Sequence, residues 1–196
     1  MAKIKPGKNA TKKDVITQKA SALFKKRGYS STSMREIAET VGVEAPSLYN
    51  HIGSKSELLQ TICFKIAEAF TSYLDTTENM TGNAAFKMEN IIRFHIQMMI
   101  NNFDEVYVAN HEWKHLKEPH LGNFLIQRRG YEKRLIILME SGIANKEFKT
   151  SNPHVSVLTI LSAVRGLEFW QQHKKNISSQ LLEDDMVNHL LKGIIK

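Results

Sequence analysis

Between Ser33 and Lys55 the chain reads SMREIAETVGVEAPSLYNHIGSK, an order of residues that few folds accommodate. Ser33 followed three residues on by Glu36 has the form of a capping box, so a helix begins at a defined place. Met34, Ile37, Ala38 and Val41 then recur at helical spacing and give that helix one buried stripe. Gly42 follows at once, and glycine takes the positive φ that stops one helix and turns sharply into the next. Val43 can tuck under that turn. Pro46 suits the first turn of a second helix, where a missing amide costs nothing, and Leu48 and Ile52 anchor it inward. Ser47, Asn50 and His51 are left facing out. Two short helices joined in this way, with an outward row of hydrogen-bonding side chains, suit the DNA major groove, where base edges carry a readable donor and acceptor pattern. A plain helical hairpin with a solvated face is the alternative, and the flanking residues argue against it.

Ahead of the pair, Val15, Ile16, Ala20, Leu23 and Phe24 form one apolar face of a supporting helix that Gly28 and Tyr29 end. Behind it, Ser54 and Glu57 form a second capping box, and Leu58, Leu59, Ile62, Ile66 and Phe70 extend into a longer fourth helix with Lys55 at its start.

With Ala20, Leu23, Phe24, Gly28 and Tyr29, then Ile37 and Ala38, then GVEAPSLYNHIGSKSELL from Gly42 to Leu59, the chain resembles the TetR family of bacterial transcriptional repressors. Glu44 departs from the pattern where many relatives have a Ser or Thr cap, and Ile52 replaces the usual Phe. The resemblance implies an all-α protein with an N-terminal three-helix helix-turn-helix domain and a larger C-terminal helical domain for ligand binding and dimerisation. Carried over by position, it implies that Arg35, Ala45, Pro46, Ser47 and Asn50 lie nearest the base edges. Tyr49, His51 and Lys55, with Thr32 and Ser33, would hold phosphates. The chemistry agrees with that split: a tyrosine hydroxyl, a lysine and helix N-terminal amides are good phosphate donors, whereas Ser and Asn can read bases.

Charge supports the same reading without the motif. Residues 1–60 carry 11 Lys or Arg against 5 Asp or Glu, a net of +6, and residues 61–196 carry 16 against 15, a net of +1. A basic patch confined to one end is what phosphate neutralisation requires, and it predicts binding that weakens steeply with salt. The lysine-rich stretch MAKIKPGKNATKK is open to two readings, a solubilising tail or an arm that tracks DNA, and residues 1–10 are read as a flexible basic arm. The expected division is then 1–10 for the arm, 11–56 for the helix-turn-helix domain with its motif at about 33–52, and 57–196 for effector binding and dimerisation.

A chain of 196 residues has room for both domains, and no strand-like alternation persists anywhere. The longest apolar stretch, IIRFHIQMMI at 91–100, is interrupted by Arg93 and His95, and nothing ahead of the first helix reads as a signal peptide. No membrane partner and a cytoplasmic location are therefore expected. Cys63 is the only cysteine, which rules out an intrachain disulfide or a thiolate zinc cage, and its place in the fourth-helix stripe predicts a buried thiol.

Beyond Asp75 about five further helices are expected. Asn152 fits a cap and Pro153 a first turn for a helix running to about His173, apolar on more than one face. The last helix, roughly Ser179 to Lys192, has Leu182, Met186 and Leu190 on one stripe and Val187, Leu191 and Ile194 on its neighbour. Helices with two apolar stripes are explained if one meets the core and the other a second copy of the chain, so a homodimer is expected. Leu158, Leu161, Arg165, Phe169, Val187, Leu191 and Ile194 are the candidate interface. TetR-like repressors dimerise through these two helices, and two recognition helices about 34 Å apart read a palindromic operator in double-stranded DNA.

Region 84–148 is rich in Met and aromatic residues, which by default form ordinary core but can line an effector pocket. Phe94, His95, Met98, Tyr107, Trp113, Phe124, Arg128, Tyr131 and Trp170 are the candidates for a small apolar effector. The stretch from Arg128 and Tyr131 through Phe148 to Trp170 resembles TetR relatives that respond to acyl-CoA thioesters or fatty acids. One motif points elsewhere: His111, Glu112, Trp113, Lys114 and His115 spell H-E-x-x-H, which on a helix could chelate zinc with Glu112 as general base. A metallopeptidase would also need a third ligand and a substrate-binding edge strand, and no strand is visible. Neither catalytic residues nor a metal nor a cofactor is expected.

Overall fold

The computed structural model describes residues 11–172 and 177–195 of the chain; the basic arm expected at 1–10 lies outside the described residues. Ten α-helices are described: α1 Lys12–Arg27, α2 Met34–Val41, α3 Ala45–Tyr49, α4 Lys55–Glu78, α5 Ala84–Asn101, α6 Phe103–His111, α7 His120–Ala144, α8 Pro153–Arg165, α9 Leu167–Gln172 and α10 Ser179–Lys192. Between α6 and α7 lies a single 3₁₀ turn, Trp113–His115. The only extended pairing among the described residues is one antiparallel bridge between Phe148 and Ile195.

The helices fall into two compact units. The first comprises the described residues up to Ala67 together with Asp104–Leu125, and the second comprises Glu68–Phe103 with Ile126 onward. Packing thus groups the chain differently from a cut at 56/57, because residues 104–125 join the N-terminal helices.

In the first unit each reading helix is set by local chemistry. Thr11 and Asp14 form a reciprocal capping box at the start of α1, and Gly28 (φ 82°) ends it by donating to the Phe24 carbonyl at 2.8 Å. Ser33 and Glu36 form the expected box on α2: the Glu36 N–H donates to Ser33 Oγ at 3.2 Å and the Ser33 N–H to Glu36 Oε2 at 2.8 Å. Gly42 stops α2 in the left-handed region (φ 86°, ψ 34°), where a side chain would be strained. At α4 the expected box forms only by half. Ser54 Oγ accepts from the Glu57 N–H at 3.1 Å, but the Glu57 carboxylate accepts instead from the Gly53 N–H at 2.9 Å. Ile16, Phe24, Ile37, Leu48, Ile52, Leu58 and Ile62 share one buried core with Cys63, and Val108, Leu116 and Phe124 of the later segment complete it.

In the second unit Leu74, Met88, Ile91, Ile92, Ile96, Leu135, Met139, Val157, Ile160 and Val164 are buried. Phe148 is buried against Gly142, where an added Cβ would come within 2.3 Å of the ring. Arg93 on α5 bonds Glu183 at 3.1 Å and Asp184 at 2.8 Å on α10, tying those helices together. Asn152 caps α8 as expected, accepting from the N–H groups of His154 and Val155. The helix expected to run from Pro153 to about His173 is interrupted at Gly166, which ends α8 before α9 begins. The final helix has the expected bounds.

Candidate nucleic-acid interface

The α2–α3 pair presents a polar outer surface. Arg35 stands exposed on α2, with its Nε donating to Glu39 Oε1 at 3.2 Å one turn along. Pro46, Ser47 and Asn50 are exposed, and Tyr49 is 51% exposed, which settles its side chain as outward and not core. His51 is half-buried. A cleft of about 460 Å³ runs along this face, lined by Glu39, Gly42, Val43, Glu44, Pro46, Ser47 and Asn50. Glu44 occupies the N-cap of α3 without a side-chain cap bond, so its carboxylate stays on the cleft wall. The second helix is shorter than its spacing suggests: α3 ends at Tyr49, and Asn50 is its C-cap.

Four expected contacts are placed differently. Thr32 is 2% exposed and its hydroxyl donates to the Gly28 carbonyl at 2.9 Å, so its side chain holds the α1–α2 turn and does not face solvent. The Ser33 hydroxyl is exposed but engaged in the α2 cap, where it donates to Glu36 Oε2 at 2.9 Å. Together the Ser33 N–H and hydroxyl, aided by the Arg27 guanidinium, hold the Glu36 carboxyl below the usual carboxylate range. Ala45 is half-buried and packs against the core. Lys55 is half-buried, with its Nζ donating to the carbonyls of Tyr29 (2.9 Å), Thr32 (2.7 Å) and Ser30 (3.4 Å). Sequence reasoning also missed Lys19, whose Nζ donates to the carbonyls of Thr40 and Val41 at the end of α2, where a cation complements the helix dipole. Only the packing of α1 against α2 brings it there.

The expected effector residues divide between the two units. Tyr107, Trp113 and Phe124 belong to the first, with Trp113 and Phe124 packed on the helix-turn-helix core, so those three do not join the others in one unit. Phe94, His95, Met98, Arg128, Tyr131 and Trp170 are in the second. There His95 Nε2 lies 2.7 Å from the Tyr131 hydroxyl and its ring stacks on Phe70 at 4.3 Å, while Phe94 stacks on Tyr73 at 3.9 Å. Burial, with the nearby Arg165 charge, drives His95 down to about 3, and burial pushes the Tyr131 hydroxyl up.

Of the expected interface residues, Leu158 (57% exposed), Arg165 and Phe169 (71% exposed) face outward, and Leu161 is half-buried. Val187 (3% exposed) and Leu191 are buried within the chain itself, because α10 turns that stripe onto α5; Ile194 is half-buried, its carbonyl accepting from the Lys149 N–H. Val187 and Leu191 are core of the chain itself, which corrects their assignment to an interface; Ile194 lies beyond the end of α10.

The H-E-x-x-H motif does not lie on one helix: α6 ends at His111, and His115 sits in the 3₁₀ turn. The ring of His111 lies against Tyr107, while His115 stacks on Tyr29 and contacts Glu112 at 3.3 Å. Among the described residues no group of three or more His, Cys, Asp or Glu side chains is placed to hold a metal ion. No described helix is long and apolar enough to cross a membrane.

A capped helix-turn-helix with an outward polar face, joined to a second helical unit, defines a DNA-binding transcriptional regulator. Residues 16–62 match the bacterial regulatory proteins of the tetR family, and residues 81–194 match the tetracyclin repressor-like C-terminal domain. The chain belongs to the TetR family. It is 25% identical to the HTH-type transcriptional repressor KstR2 of Mycolicibacterium smegmatis over 207 residues, covering 99% of this chain and 96% of that one. The ketosteroid transcriptional regulator KstR2 of Mycobacterium tuberculosis has the same fold, with a TM-score of 0.88 at 18% identity over 99% of this chain and 100% of that one. AibR in complex with isovaleryl coenzyme A and operator DNA superposes with a TM-score of 0.79 at 23% identity, covering 91% of this chain and 97% of that one.

Proposed function

We propose that this regulator is a homodimeric repressor that holds a palindromic operator and releases it when an effector with an apolar acyl or hydrocarbon group binds its second unit. The observation that carries the reading is the exposed polar face of α2 and α3. Arg35, Pro46, Ser47 and Asn50 are the residues to meet base edges, and Tyr49 and His51 to meet phosphates. Dimerisation is supported by the apolar side chains that a lone chain leaves in water: Val155, Leu158 and Phe169 on α8 and α9, and Leu181 on α10.

AibR binds an acyl thioester together with operator DNA, and KstR2 is a ketosteroid regulator. The effector class is an acyl thioester whose apolar acyl chain enters the second unit while its charged coenzyme A nucleotide stays towards solvent, with Phe94, His95, Met98, Arg128, Tyr131 and Trp170 as the candidate lining for the acyl chain. Release follows if the effector prefers the conformation in which the two recognition helices no longer span both half-sites. A hundredfold loss of operator affinity needs a coupling of only about 2.7 kcal/mol. Because α4 is one continuous helix with residues in both units, it is the element through which that preference would be felt.

Native mass spectrometry of the purified protein with a duplex selected from a random pool, with and without isovaleryl-CoA, tests the reading. Two protomers on one duplex, with the duplex lost on adding the thioester, are expected. A single protomer per duplex contradicts the dimer; unchanged occupancy with isovaleryl-CoA, cholesterol-derived ketosteroid and palmitate alike contradicts an apolar effector.

A further inference from the structure

Lys55 stands where helix electrostatics disfavours a cation. It is the first residue of α4, whose N-terminus carries the positive end of the helix dipole. The compensation is visible: its ammonium donates to three backbone carbonyls of the α1–α2 turn, those of Tyr29, Ser30 and Thr32, and lies 4.5 Å from the centroid of the Tyr29 ring. A lysine ammonium has three N–H donors, so each already has an acceptor within the fold. The side chain is half-buried, and it bridges positions 55 and 29–32, more than twenty residues apart. The turn it grips is otherwise closed by two bonds, from the Thr32 N–H to the Tyr29 carbonyl at 3.2 Å and from the Thr32 hydroxyl to Gly28. Ser33, the cap of α2, follows immediately.

From this arrangement we infer that Lys55 is a positioning residue for operator recognition and not a phosphate contact. It acts as a fixed cation inside a loop of carbonyls, locking the start of α4 to the turn that sets where α2 and its exposed Arg35 begin. A displacement of the first turn of α4 therefore reaches α2 through this ammonium as well as through the shared core. The inference rests on the DNA-binding reading and goes beyond it by assigning the lysine a role inside the protein.

The two roles give opposite results when the charge is removed. Lys55→Met keeps the aliphatic stem, and the probes are a duplex selected by the wild-type protein from a random pool and an unrelated 30-base-pair duplex, each titrated at several salt concentrations. A positioning lysine predicts that the DNA-free variant melts lower by about 3–6 °C. Its folded molecules should bind the selected duplex about tenfold more weakly, while the slope of log affinity against log salt is unchanged. Affinity for the unrelated duplex should be nearly unchanged. A phosphate contact predicts instead a slope shallower by about 0.9 per protomer and equal losses on both duplexes, whatever the DNA-free melting temperature. Lys55→Arg adds a second arm: a guanidinium keeps the charge for a phosphate but presents a planar fork to three converging carbonyls, so failure to restore affinity supports positioning and full restoration overturns it. If the wild-type protein binds neither duplex, it is the DNA-binding reading that has failed; if wild type binds and the variants show the phosphate pattern, only the role given to Lys55 has.

Discussion

The Tyr131 hydroxyl lies 2.7 Å from Nε2 of His95, and the two form a neutral pair in the second unit. Burial holds His95 at about 3, against its ordinary 6.5. Because the folded value is depressed, the unfolded chain takes up the proton first as the pH falls. The stabilisation from a neutral His95 is complete above pH 6.5 and drains away towards about 3. Urea unfolding at pH 7.5 and pH 5.0 should therefore show a loss of about 2 kcal/mol that His95→Gln lacks. Equal pH dependence in the two proteins would remove the histidine from the account.

Gly142 and Phe148 make a second test. A methyl group at position 142 would stand 2.3 Å from ring carbons of a side chain that is already buried, and cores tolerate such insertion poorly. Gly142→Ala should cost about 2 kcal/mol and lower the melting temperature by about 6 °C. An unchanged thermal midpoint would show that Phe148 has room to move aside.

How much of this was legible in the chain depended on how local the cause was. The box of Ser33 and Glu36, the stop at Gly42 and the cap at Asn152 lie within a few residues of what they control, and all three form as the spacing predicts. The resemblance puts Thr32 and Lys55 at phosphates by position; the Thr32 hydroxyl is instead spent within the α1–α2 turn on the Gly28 carbonyl, and the Lys55 ammonium is spent when α4 folds against that turn. Trp113 and Phe124 sit amid aromatic residues in sequence, yet their segment joins the first unit's core, which no periodicity reports. On α10 two neighbouring apolar stripes were visible, but only the packing against α5 tells which of them is core. The break at Gly166 is a weaker failure, since a glycine inside a helical pattern is often tolerated.

The exposed apolar face of α8 and α9 predicts an association that charge should prevent. Leu158→Glu and Phe169→Glu place carboxylates where the lone chain exposes apolar side chains, and burying unpaired charge in an interface is costly. In sedimentation at micromolar concentration the wild-type chain should behave as a dimer and the double variant as a folded monomer, with operator affinity reduced more than tenfold. A double variant that remains dimeric would move the interface to another face.

Selection of bound sequences from a random double-stranded pool tests the central claim most directly, with wild type, Arg35→Ala and Asn50→Ala run side by side. An inverted repeat with half-site centres about 10 base pairs apart, or a multiple of that, is expected for wild type. Each substitution should relax or change the preferred base at one position in each half-site, at a cost of about 1–3 kcal/mol. Enrichment of no sequence, or the same preference in all three proteins, would contradict the assignment of α2 and α3 as the reading head.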